Sequence, residues 1–148
     1  HTNVVNSANF SPDGKYIVTA SDDGTVRIWD AKTQQEYRRM ETSYDVSFLY
    51  ASFSPDGKYI VSATSDVTVI IWDAKTGLQI VELSATASFL YKCQVAFVPD
   101  GNMIILASQN GFVSLWDFPP LQELIDSTRE RFKDRPLTQE ERRKYYLE

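Results

Sequence analysis

The sequence holds one cysteine, Cys93, and one histidine, His1. A lone cysteine closes no internal disulfide, which fits a reducing compartment. The two residues stand 92 positions apart and match no usual ligand spacing, so no metal is expected. Asp22-Asp23-Gly24 lacks the alternating carboxylates and distal glutamate of a calcium loop. The six glycines stand singly, so no Gly-rich phosphate cradle is present and no cofactor is expected. Basic residues are in deficit: the net charge is −5, without the positive footprint of a nucleic-acid binder. No apolar run approaches the roughly 18 residues of a membrane span, and the N-terminus shows no signal pattern. The expected location is therefore cytoplasmic, with neither nucleic acid nor membrane as partner.

What is present is repetition. A hydrophobic fraction of 43% in 148 residues gives ordinary single-domain length and a core-forming composition. SPDGKYIV stands at 11–18 and again at 54–61, and VPDGNMII follows at 98–105. The longer phrases FSPDGKYIVTASDDGTVRIWDAKT (10–33), FSPDGKYIVSATSDVTVIIWDAKT (53–76) and FVPDGNMIILASQNGFVSLWDFPP (97–120) are offset by 43 and 44 residues. Such a period signals a propeller or solenoid. Pro-Asp-Gly is turn chemistry, and it separates a strand ending at Phe10 or Phe53 from KYIVTAS or KYIVSAT. Asp22-Asp23-Gly24 makes a second tight turn, for which Val67 in the next copy is a poor substitute. TVRIWD or TVIIWD follows, and QQEYRRM (34–40) and GLQIVEL (77–83) read as fourth strands. Four short antiparallel strands per unit predict an all-β, propeller-type blade.

TVRIWD, TVIIWD and FVSLWD, each following a Pro-Asp-Gly turn, resemble the tryptophan-aspartate (WD) repeat family of β-propellers over roughly residues 1–118. The resemblance implies three blades, about 1–43, 44–87 and 88–118. It also implies a structural network in each blade of a histidine, a strand hydroxyl, a turn Asp and the Trp. In the first blade these are His1, Ser21, Asp23 and Trp29. In the second they are Thr64, Asp66 and Trp72, with Tyr44 in the histidine's place. In the third they are Ser108, Asn110 and Trp116, with Ser88 there. A buried imidazole and carboxylate need such partners.

Ser, His and Asp together suggest a hydrolase triad, but the pattern serves structure in every blade and no oxyanion hole accompanies it. No catalytic residue is assigned and the protein is read as a non-enzyme. Cys93 is read as a packing residue rather than a reactive thiol. Family members often recognise partners on the propeller's end face, at positions matched here by Val4, Asn6, Asp22, Ser47, Leu49, Ser65, Tyr91, Cys93 and Gln109. These vary between blades while the frame repeats.

Closed propellers need about 4–8 blades, so the three here call for more, from an upstream segment or from other copies. A start at His1 and the absence of a closing strand favour the first, reading the blades as the C-terminal part of a larger propeller. From Pro119 the pattern changes. Leu121, Leu124, Ile125, Thr128 and Phe132 fall at helical spacing, and Thr138 with Glu141 forms a capping box, predicting a helical extension over 119–148. That extension holds seven basic and seven acidic residues, so the net charge lies in the blades. It is similar to the C-terminal ends of large bacterial WD-repeat proteins, where a propeller often follows a signalling ATPase. The expected function is a protein-recognition module, the sensor or scaffold propeller of a larger bacterial signalling protein, binding a protein partner or another domain of its own chain. The alternatives are a self-assembling structural ring and a propeller with a ligand-binding or catalytic central channel.

Overall fold

The computed structural model describes residues 1–43, 45–84, 92–109 and 111–118. Alternating apolar and polar positions, interrupted by turn residues, give eleven strands among them. These are β1 (Val5–Phe10), β2 (Tyr16–Ser21), β3 (Thr25–Asp30), β4 (Glu36–Glu41), β5 (Phe48–Phe53), β6 (Tyr59–Thr64), β7 (Thr68–Asp73), β8 (Gln79–Ser84), β9 (Cys93–Phe97), β10 (Met103–Ser108) and β11 (Val113–Asp117). They form three antiparallel sheets in sequential order: β1-β2-β3-β4, β5-β6-β7-β8 and β9-β10-β11. The expected all-β blades are thus in place. The expected helical extension, 119–148, lies outside the described residues.

The recurring phrase is explained by its turn. Gly14, Gly57 and Gly101 each donate an amide to the residue three back, at 2.9 Å, with φ of 71°, 72° and 79°. Only glycine takes that conformation without strain. Ser11 and Ser54 donate to Asp13 and Asp56, and each serine oxygen accepts the amide of the tyrosine that opens the next strand. Serine, proline, aspartate, glycine and tyrosine are therefore one hydrogen-bonded corner. Val98 replaces the serine in the third copy and removes its hydroxyl. At the second turn Val67 adopts φ 76°, where the first copy has Gly24 at the same angle.

Two apolar clusters hold the sheets together. Val18, Ala20, Val26 and Ile28 of the first sheet meet Phe48, Ala51, Ile60, Ile70 and Trp72 of the second. Val61, Ala63, Val69 and Ile71, on the second sheet's other face, meet Val95, Phe97, Ile104 and Leu106. Polar side chains on the inner strands add directed links. The Asn9 amide donates to the Ala51 carbonyl (2.8 Å), and one sheet later the Ser52 hydroxyl donates to the Val95 carbonyl (3.0 Å).

Candidate functional site

The tryptophan network forms in the first sheet, but through a different hydroxyl from the one expected. The Trp29 indole N–H donates to Thr19 Oγ1 at 2.8 Å, and Thr19 Oγ1 lies 2.6 Å from His1 Nε2. His1 Nδ1 lies 2.8 Å from Asp23 Oδ2. With the ring proton on Nδ1, His1 donates to Asp23 and accepts from Thr19. Ser21, the expected member, instead accepts the Asp23 amide and shapes the turn. The register supplies the reason. Trp29 pairs directly with Ile17, so the diagonal neighbour on its face is Thr19, and Ser21 lies two positions further.

The same correction applies to the second sheet. Trp72 donates to Ser62 at 2.8 Å, while Thr64 donates to Asp66 and accepts the Thr68 amide within the turn. In the third sheet the register places buried Leu106 at this position, opposite Ser114. Ser108 bonds to the Lys92 carbonyl. Tyr44, Ser88 and Asn110 lie outside the described residues.

The first sheet carries a further charged cluster that sequence reasoning missed. Arg27, 7% exposed, donates to Asp23 (2.8 Å), Glu36 (2.9 Å) and Thr25 (2.9 Å). Burial pushes the Asp23 carboxyl up, but the Thr25 hydroxyl, the Thr2 amide and the Arg27 charge outweigh it and hold it below the usual carboxylate range. The equivalent of Arg27 in the next sheet is Ile70, so the repeating motif could not reveal the cluster. Asp30 and Asp73, which end strands β3 and β7, are two further residues that the sequence reading did not single out. Each accepts from a threonine three residues on and so holds the next turn.

The proposed recognition face lies at the opposite end of β1 from the Pro-Asp-Gly turn. Strands β1 and β5 each carry an irregularity there, between Val5 and Ser7 and between Phe48 and Tyr50. Asn6 and Leu49 are the extra residues, and a bulge of this sort re-aims a side chain. Both line a cavity of about 550 Å³ together with Tyr50, Lys92, Cys93 and Gln109. Asn6 also donates to Asp22 (2.7 Å) and to the Phe48 carbonyl (2.9 Å), tying the first sheet's turn to the second sheet. Val4 with Asp22, and Ser47 with Ser65, meet through backbone hydrogen bonds of 2.9 Å. In the third sheet Gln109 bonds to Lys92 instead, because β9 pairs with β10 without a shift. Tyr91 lies outside the described residues. Cys93 is 8% exposed, and burial pushes its thiol up to about 11, far from the thiolate that reactivity needs. Among the described residues, no group of three or more His, Cys, Asp or Glu could hold a metal ion.

The family profile described as WD domain, G-beta repeat matches residues 1–30, 39–73 and 83–117, one match to each sheet. The chain belongs to the WD-repeat family. WD repeats form protein-interaction and scaffold modules, and the three sheets are three such blades. The chain is 40% identical over 45 residues to Lissencephaly-1 homolog 1 of Paramecium tetraurelia, a match covering 30% of this chain and 11% of that protein. It is 46% identical over 43 residues to the ribosome biogenesis protein BOP1 homolog of Drosophila grimshawi, covering 29% of this chain and 6% of the relative. The BOP1 homolog of Aedes aegypti is 43% identical over 42 residues, covering 28% and 5%. Each alignment thus spans about one blade, and the chain covers about a tenth or less of these relatives' length. All three come from eukaryotes. Among the described residues no helix is long and apolar enough to cross a membrane.

Proposed function

We propose that this chain is a non-enzymatic recognition module that seats a protein partner over the cavity at the bulged ends of β1 and β5. The observation that carries the reading is the bulge pair. The frame of Trp29 and Trp72, with their hydroxyl partners, repeats, while Asn6, Leu49 and Gln109 present different chemistry to one cavity. A preformed surface of this kind binds with little ordering cost. The partner is a protein or another domain of a longer polypeptide, and the setting is a cytoplasmic scaffold or sensor. Eukaryotic relatives lend no support to the bacterial signalling context, which rests on the C-terminal resemblance alone.

The test places a photo-cross-linking residue at Leu49 and, as control, at Lys32 on the opposite end. Capture of one partner at Leu49 alone, abolished by Asn6→Arg, supports the reading. Equal capture at both ends sinks it.

A self-assembling ring is favoured by a separate observation. Val5 and Phe10 on the first sheet are 48% and 66% exposed, and Ile105, Val113 and Leu115 on the third are 36%, 58% and 56% exposed. The second-sheet counterparts of Val5, Ile105, Val113 and Leu115 (Phe48, Val61, Val69 and Ile71) are fully buried, and Phe53, the counterpart of Phe10, is half-buried. Light scattering decides this reading: a discrete mass several times that of one chain supports it, and a monomer removes it.

A further inference from the structure

Ala31, Ala74 and Phe118 occupy one structural position in the three sheets. Their amides donate to the carbonyls of Lys15, Lys58 and Asn102 at 2.8, 2.9 and 2.7 Å. What the side chain does there differs from sheet to sheet. The Phe118 ring sits against Tyr59 and Phe97, 5.4 Å from each ring and edge-on to both, at 77° and 68°. Aromatic rings favour that arrangement. One sheet earlier, Tyr16 and Phe53 stand where Tyr59 and Phe97 stand, but Ala74 offers only a methyl group. A cavity of about 390 Å³ opens beside it, walled by Tyr16, Tyr37, Ile28 and Phe53. Tyr37, where the next sheet has Ile80, lies 4.9 Å from Tyr16 and adds a third aromatic wall.

We propose that this cavity between the first two sheets is a binding site for an aromatic side chain of a partner peptide. The ring would seat between Tyr16 and Phe53 as Phe118 seats between Tyr59 and Phe97. The volume falls within the roughly 300–1,000 Å³ of ligand pockets. Aromatic walls would also suit an alkylammonium group, but the rim carboxylates are already partnered. Asp13 bonds to Ser11 and Lys15, and Asp56 to Ser54 and Lys58. Lys75 also lines the cavity and disfavours a cation, so selection falls on ring shape. The site lies at the Pro-Asp-Gly end of the sheets, away from the Asn6–Leu49 cavity, so the two readings stand or fall separately.

The test titrates the full chain with N-acetyl-phenylalanine amide, N-acetyl-leucine amide and N-acetyl-trimethyllysine amide, following the Tyr16, Tyr37, Phe53 and Ala74 signals by NMR. Saturable shifts with the phenylalanine amide are expected, with binding at least about tenfold weaker for the other two. Ala74→Phe, which copies the third sheet, should fold and abolish binding. Tyr37→Ala, in the exposed wall, should weaken binding several-fold without unfolding the chain. The proposal is overturned by an absence of saturable shifts, by equal or tighter binding of either other amide, or by binding that survives Ala74→Phe. An unfolded Ala74→Phe also overturns it, because the slot would then not accept a ring.

Discussion

Replacing Thr19 by valine keeps the branched shape and removes the hydroxyl that joins Trp29 to His1. Two part-buried polar groups, the Trp29 N–H and His1 Nε2, then lose this partner, at a cost of about 1–3 kcal/mol. Ser21→Ala removes the turn hydrogen bond from the Asp23 amide and a long 3.5 Å bond to the Asn3 carbonyl, and should cost about 1 kcal/mol. Urea denaturation of the two variants reads the difference, and a larger loss for Ser21→Ala would remove Thr19 from the network. Leu106→Thr restores the motif's hydroxyl near Trp116 but exchanges a fully buried apolar side chain for a polar one, so it should destabilise. The Asp23 carboxyl is held below its ordinary 3.8, so its contribution is complete above that value and is lost as pH falls through the lower folded value. Stability should therefore drop more steeply below about pH 4 in the native chain than in Asp23→Asn, as measured by acid titration of the thermal midpoint. The Trp was legible in the sequence because the motif repeats, and His1 and Asp23 because the first copy resembles the family pattern. The hydroxyl was not: Thr19 and Ser21 share one face at period two, and only strand register separates them.

Turns were the most legible elements, since their chemistry is local. The Ser-Pro-Asp-Gly corner and the Asp-Gly turn both stand where their residues placed them, and the unsuitability of Val67 emerges as a positive φ on a β-branched residue. That conformation costs about 1–3 kcal/mol, while the Val67 side chain, 4% exposed, contributes burial of about 1.5–3 kcal/mol. Val67→Gly should thus change stability by less than about 1 kcal/mol. Gly24→Val places the same strain at a half-buried turn, where the added Cβ would meet the Val46 carbonyl at 3.5 Å, and should destabilise by about 1–3 kcal/mol. Paired denaturation curves check the asymmetry, and equal effects would contradict the strain argument. The bulges that aim Asn6 and Leu49 were not legible. A bulge is a mismatch between two strands, and nothing in either strand alone announces it. For the same reason Cys93, opposite Ser108 in an unshifted register, is packed inward where the repeat offset suggested a face residue.

At the scale of the whole set of sheets, equivalent residues meet unequal fates. Val69 lies fully buried between the second and third sheets, whereas Val113, its repeat counterpart, is 58% exposed. Val69→Asp buries an unpaired carboxylate and should abolish folding or cost more than about 4 kcal/mol. Val113→Asp should stay within about 0.5 kcal/mol in a monomer. Circular dichroism with thermal melts compares them. A severe effect of Val113→Asp would mean that another surface covers this face. The sequence made the repeat plain but not which copies of a position are covered, because burial here depends on the neighbour, not on the residue.

The second sheet alone belongs to both apolar clusters, with one face in each. Every residue of β6 is buried, and so is all of β7 but Asp73. Nearest-neighbour coupling of this kind ranks amides by how many interfaces must separate before deuterium enters. The β6 and β7 amides must await the loss of both clusters, while those of β2 and β3 wait on one. Deuterium uptake should then proceed inward from the flanking sheets, making β6 and β7 the slowest clock in the molecule.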